Sequence, residues 1–359
     1  MRSRVVWIPT AVLLAALLGA IGFRGRAGVA APMTPSRLPI EGRMPPLGGA
    51  TAWINSSPLT AEGLRGKVVV VDFWTYTCVN WLRTLPYVRA WAAKYGDRGL
   101  VVIGVHTPEF SVERDVENVR RAARAMRVDY PIAVDTDYAV WKAFHNEYWP
   151  ALYLVDAQGR IRFHHFGEGR YEASERAIQE LLSETGEARA ARDLVTVDPR
   201  GPEVAADWSH VRSEETYVGY GKAEGFASPG GLAPDTRRAY AAPAALSRNQ
   251  WALTGEWTVG REEAVLEMAR GRIAYRFHAR DLNLVVGPGA GRAPVRFRVL
   301  LDGHAPGPAH GTDVDPEGNG ALGEPRLYQL IRQPAGIEDR LFEIEFADAG
   351  AEAFVFTFG

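Results

Sequence analysis

The stretch "VDFWTYTCVNW" holds the only cysteine of the 359-residue chain, Cys78. It stands where an apolar, β-branched run ends and a helical pattern begins. At such a junction the first amides of the helix point free N–H groups outward. With the helix dipole they favour the thiolate, which is the attacking species in thiol–disulfide exchange. A Cys-x-x-Cys pair would carry its second sulfur three residues on, and that position is Trp81. One sulfur can open a disulfide but must borrow a thiol from elsewhere to resolve the product. The alternative for a lone cysteine is a small, buried core residue.

Other residues could join or rival this chemistry. His106 ends the run "LVVIGVH". Strand ends in an open α/β sheet face the ligand crevice, so His106 is placed to stabilise a thiolate or carry a proton, or simply to cap the next segment. His164 and His165 are neighbours on an extended run and must face opposite sides; without a cysteine or carboxylate at metal spacing they read as structural. In "DVDPEGNGALGE", Asp313, Asp315, Glu317 and Glu324 fall at positions 1, 3, 5 and 12 of a calcium loop, with Gly318 at 6. Pro316 and the lack of flanking helices favour a hairpin turn instead, and no metal is expected. No cofactor is expected either. With 41 Lys and Arg against 43 Asp and Glu, the net charge is −2, which excludes nucleic acid as a partner on electrostatic grounds.

The surrounding elements must position the thiol. "KVVVVDFW" and "LVVIGVH" are continuous apolar runs, the signature of strands covered on both faces. The spacing predicts helices over Val79–Tyr95, Val112–Val128, Tyr138–His145 and Tyr171–Glu184, and "ALYLVDAQGRIRFHHFG" predicts a strand, a turn and a strand. This order gives an α/β sandwich with a mixed sheet. Beyond it come short strands separated by turns, such as "IAYRFHA" and "LFEIEF", which alternate apolar and polar and predict an all-β sandwich.

The amino terminus carries Arg2 and Arg4, an apolar run from Val5 to Phe23, then Arg24 and Arg26. Residues 1–26 are expected to be a signal anchor, a hydrophobic helix close to the length that spans a bilayer, or a cleaved signal peptide. Either places the rest outside the cytoplasm, in the periplasm or cell envelope. One cysteine there makes no internal disulfide. The division expected is 27–46 as linker, 47–186 as the α/β domain, 187–209 as a second linker and 210–359 as the β-sandwich.

The first domain resembles the thioredoxin fold of extracytoplasmic, TlpA-like proteins, in particular the soluble region of DipZ-type proteins. The resemblance rests on "DFWTYTC", on Asp72 six residues before the cysteine, on Trp74, on Pro86 eight residues after it, and on "YWPALYLVD". It implies that Asp72 is a buried carboxylate near the thiol, that Pro150 carries a cis peptide bond facing Cys78, and that Trp74, Thr75, Thr77, Trp81, Trp149 and His106 border the substrate groove. It also implies a departure, because Trp81 stands where the family has its resolving cysteine. Residues 210–359 are similar to the β-sandwich of DipZ-type proteins, which looks like a carbohydrate-binding jelly roll; Tyr217, Tyr220, Trp251 and Trp257 are then candidate sugar platforms.

The function expected is thiol–disulfide exchange through Cys78, acting as a monothiol oxidoreductase on an envelope protein's disulfide or a small thiol. Two alternatives stay open. One is a non-catalytic module that binds a glycan or envelope partner and keeps a degenerate thioredoxin domain. The other is a one-cysteine peroxidase, since Thr75-x-x-Cys78 matches half of a peroxiredoxin site although position 71 is valine rather than proline.

Overall fold

The apolar run Val68–Trp74 forms a central strand with every residue buried. The computed structural model describes residues 38–185, 193–291, 293–334 and 336–359; the expected hydrophobic helix within 1–26 lies outside them. Among the described residues no helix is long and apolar enough to cross a membrane.

Seven strands make the first sheet: β1 (Gly42–Arg43), β2 (Ala52–Ile54), β3 (Val68–Trp74), β4 (Leu100–His106), β5 (Ile132–Val134), β6 (Ala151–Val155) and β7 (Arg160–Phe166), in the order β1-β7-β6-β3-β4-β5-β2. β3 runs parallel to β4, and β4 to β5, whereas β6 and β7 are antiparallel. Helices α1 (Val79–Tyr95), α2 (Val116–Ala125), α3 (Ala139–Ala143) and α4 (Tyr171–Glu184) connect them. Helices over a sheet force β3 to be apolar on both sides, which is why its sequence does not alternate.

The helix predicted over Val112–Val128 is shorter. A 3-10 turn spans Ser111–Arg114, and the chain breaks at Asp115, whose carboxylate accepts a hydrogen bond from the Glu117 amide at 2.8 Å. A capped restart of this kind satisfies an amide that the helix leaves unpaired. β5 and the short edge strands β1 and β2 have no counterpart in the sequence reading, being too brief to show a period.

The second half is all antiparallel β-structure, from β8 (Thr216–Tyr217) to the strand Ala351–Phe358. Its two layers share the strand Trp251–Val259. The first part of that strand pairs with Arg272–Phe277, the second with Ala264–Leu266. The change of layer falls at Gly255, with φ 95°. A Cβ there would also lie 3.0 Å from the Gly271 Cα, so only glycine fits without strain. The core between the layers is led by Trp251, Trp257, Tyr275, Phe277, Phe342 and Phe346, all essentially unexposed.

The two halves share apolar core. Val285, Leu327, Phe354 and Val355 of the β module are buried in the same cluster as Trp81, Leu82 and Phe110. Buried side chains of this size contribute ~1.5–3 kcal/mol each, so the β module is fastened onto the face that carries Cys78. Polar contacts add to this. The buried Arg83 of α1 donates to the Phe358 carbonyl at 3.1 Å and pairs with Glu168 at 3.2 Å, and the Ser111 amide donates to Glu262 at 2.8 Å.

Candidate active site

Cys78 is the N-cap of α1, with extended backbone (φ −72°, ψ 112°). Its side chain is half-buried and its thiol is free. Across from it the Trp149–Pro150 peptide is cis, and the Trp149 carbonyl oxygen lies 3.9 Å from Sγ. The end of β3 thus delivers the thiol, and the loop before β6 presents a backbone acceptor beside it.

Burial pushes the Cys78 thiol well above the usual cysteine range. The Trp81 and Asn80 amides of the first helical turn pull it down, as the helix start should. The carboxylates of Glu109 and Glu215 push it further up. Desolvation outweighs the amides, so the surroundings oppose the thiolate that the helix start favours.

Behind the thiol, Trp81 points into the core and is fully buried. Its indole Nε1 donates to Asp72 Oδ2 at 2.9 Å, and its ring stacks on Trp74 at 4.2 Å. Asp72 is itself buried, and desolvation raises its carboxyl from 3.8 to about 7 against the opposing Trp81 bond. Asp72 Oδ1, Trp74 Nε1 and Tyr130 Oη have no hydrogen-bond partner among the described residues.

Several residues expected at the groove are therefore not on it. Trp74, Trp81, Thr75 and His106 show no exposure and Thr77 only 1%; of that set Trp149 alone is half-exposed. His106 packs edge-on against Trp74 at 4.8 Å and over Tyr76 at 5.7 Å. Burial drives its pKa down from 6.5 to about 3, so it stays neutral and supplies no positive charge to a thiolate. Its Nε2 lies 3.5 Å from the Thr75 hydroxyl, which is itself buried.

Glu113 escaped the sequence reading. It is fully buried on the 3-10 turn after β4. Oε1 accepts from the Thr77 hydroxyl at 2.5 Å, and Oε2 from the amides of Glu109 and Phe110 at 2.6 and 2.9 Å. Desolvation raises it from 4.5 to about 7. One carboxyl thus ties the residue before Cys78 to the loop that carries Glu109. The run "HTPEFSVE" offers the only signal, an acid seven residues after His106.

The β module reaches the same loop. The Tyr217 hydroxyl donates to Glu109 at 2.5 Å, with Glu215 Oε2 3.2 Å away, and its ring packs near Phe110 with centroids 6.1 Å apart. Tyr217 is thus a link between halves, not a sugar platform. Trp251 and Trp257 are buried in the β core and present no open face; Tyr220 is half-buried, with its hydroxyl donating to Asp235 at 3.0 Å. The acids of the calcium-loop pattern are dispersed. Asp313 pairs with Arg326 at 2.6 Å, Asp315 accepts from the Asn319 amide at 2.7 Å, and Glu324 pairs with Arg121 at 2.7 Å. No group of three or more ligating side chains is assembled among the described residues.

A cysteine capping the helix after a central parallel strand, opposed by a cis proline, defines a thioredoxin-like protein, and the chain belongs to the thioredoxin-like thiol–disulfide oxidoreductase family. The AhpC/TSA family matches residues 51–164, and the "Thioredoxin like C-terminal domain" family matches residues 213–359. The thiol–disulfide oxidoreductase YkuV of Bacillus subtilis is 34% identical over 143 residues, covering 40% of this chain and 95% of that protein. Protein DipZ of Mycobacterium tuberculosis is 38% identical over 251 residues, 68% of this chain. The chain spans 35% of the length of DipZ. A solution structure of a thioredoxin-like protein in the oxidized form is 33% identical, covers 40% of this chain and 96% of its own, and gives a TM-score of 0.37.

Proposed function

We propose that this protein is an exported, single-thiol exchange protein acting on protein disulfides or small thiols in the cell envelope. Cys78 gives up its proton to solvent and attacks, as the thiolate, one sulfur of a disulfide, forming a mixed disulfide and releasing the other half as a thiolate that takes up a proton. An external thiol then attacks the mixed disulfide, restores Cys78 and carries away the bound sulfur. The observation that carries this reading is the placement of half-buried Cys78, whose Sγ lies 3.9 Å from the carbonyl before the cis proline. An extended partner segment can pair with that backbone and bring its sulfur to the thiol. Pro150 positions; Cys78 reacts; Asp72 and Trp81 lie behind and shape the resting state. The oxidoreductase relatives and the arginine-flanked apolar run near the amino terminus support the chemistry and the envelope setting.

A second reading is favoured by one feature: burial pushes the Cys78 thiol up and so opposes thiolate formation. On that reading the thioredoxin-like half holds a partner segment without turnover. Intact mass after exposure to a small disulfide separates the two. Exchange gives one adduct per chain, stable until external thiol is added and absent in Cys78→Ser. A folded protein that takes no adduct supports holding without exchange.

A further inference from the structure

We propose that the cleft between the two halves, on the side of α1 and α2, binds a small anionic amphiphile: a carboxylate head on a single medium-length apolar tail. The cleft holds about 330 Å³, within the range of small-molecule sites, which favour the junctions between structural units. Its floor is apolar, made by Leu82 of α1, Met126 just after α2 and Leu327 of the β module. Five arginines line it against two glutamates. Four of these arginines are already paired: Arg89 with Glu203 at 2.6 Å, Arg121 with Glu324 at 2.7 Å, Arg200 with Asp198 at 2.8 Å and Arg326 with Asp313 at 2.6 Å. These pairs sit partly in solvent, where an ion pair is weak and a ligand carboxylate can compete for the guanidinium. Arg127 makes no ion pair among the described residues, and its left-handed backbone (φ 53°) stops α2 at the cleft. An apolar floor beside one uncompensated guanidinium, with four more in exchangeable ion pairs, fits a chain with a negative head. It fits neither a bare phosphate, which would leave the floor wet, nor a cation.

The cleft also touches the reactive loop. Tyr76, two residues before Cys78, forms part of its wall, with its hydroxyl on the Val112 carbonyl at 3.2 Å. A ligand would therefore rest against the segment that holds the thiol, although the proposal does not depend on exchange chemistry.

Calorimetric titration of the full chain with sodium decanoate, below its micelle concentration, tests the site. Decyltrimethylammonium is the matched cation. The expected result is one saturable decanoate site, with the cation about tenfold weaker or worse. Arg127→Gln should weaken decanoate about fivefold without moving the unfolding midpoint, because that side chain makes no ion pair among the described residues. Ala125→Trp, which fills the mouth with all charges kept, should abolish binding. Equal binding of acid and cation, no saturable decanoate binding, or decanoate binding that survives Ala125→Trp would overturn the proposal. So would an Ala125→Trp-sensitive association with phosphatidylglycerol vesicles without decanoate binding, which would assign the cleft to a membrane headgroup.

Discussion

Trp81→Ala is expected to cost ~3–5 kcal/mol of stability, the range for deleting a large aromatic side chain from a core. Trp81 has no exposure and stacks on Trp74 at 4.2 Å, so little can collapse into the space. The loss should exceed that of Trp81→Phe, which keeps most of the packing and removes only the indole donor to Asp72, for ~1–3 kcal/mol. Trp81→Cys would spell a Cys-x-x-Cys sequence and should cost about as much as alanine, for the same reason. Urea unfolding of the three variants measures this. If cysteine or alanine costs under ~1 kcal/mol, the tryptophan is not a structural replacement for the second thiol.

Asp72→Asn should change the pH dependence of stability. The carboxyl of Asp72 stays protonated in the folded protein to about 7, against 3.8 ordinarily. Between those values the unfolded chain has released the proton and the folded chain has not. Its contribution is therefore complete below about pH 3.8 and is lost as the pH climbs to about 7. A shift of this size corresponds to about 4 kcal/mol, of which the part above pH 4.5 is about 3 kcal/mol. Asparagine does not titrate, and its amide oxygen can still accept from Trp81. Relative to the native chain the variant should gain ~2–4 kcal/mol between pH 4.5 and pH 8, while Glu113 titrates identically in both. An unchanged difference at the two pH values would mean that Asp72 is ionised in the core.

The sequence carried the thioredoxin-like half well because its strands and helices are long enough to show their periods. β3 reads as buried from its valines alone, and the cysteine, its following helix and Pro150 announce themselves by spacing. The β module was legible as short alternating strands, but not its attachment. Val285, Leu327, Phe354 and Val355 look like ordinary core residues of their own strands, and nothing local says that they face a different partner. The same blindness explains the misplaced aromatics. Trp74, Trp251 and Trp257 are large enough to serve as platforms or as core, and only burial decides between these roles. Glu113 was missed because a buried acid looks like a surface one until its neighbours are known. The helix start suggested an activated thiol because local geometry is visible in sequence and desolvation is not.

The central claim is that Cys78 is reachable yet held as a thiol by its surroundings. The rate of alkylation of the folded protein by iodoacetamide, followed from pH 6 to 10, tests it most directly. The account predicts measurable reaction that rises about tenfold per pH unit without levelling, because the thiolate fraction keeps growing. A plateau beginning below pH 8 would reveal an activated thiolate, and no reaction at any pH where the protein is folded would reveal a sealed sulfur. Either result would contradict the account.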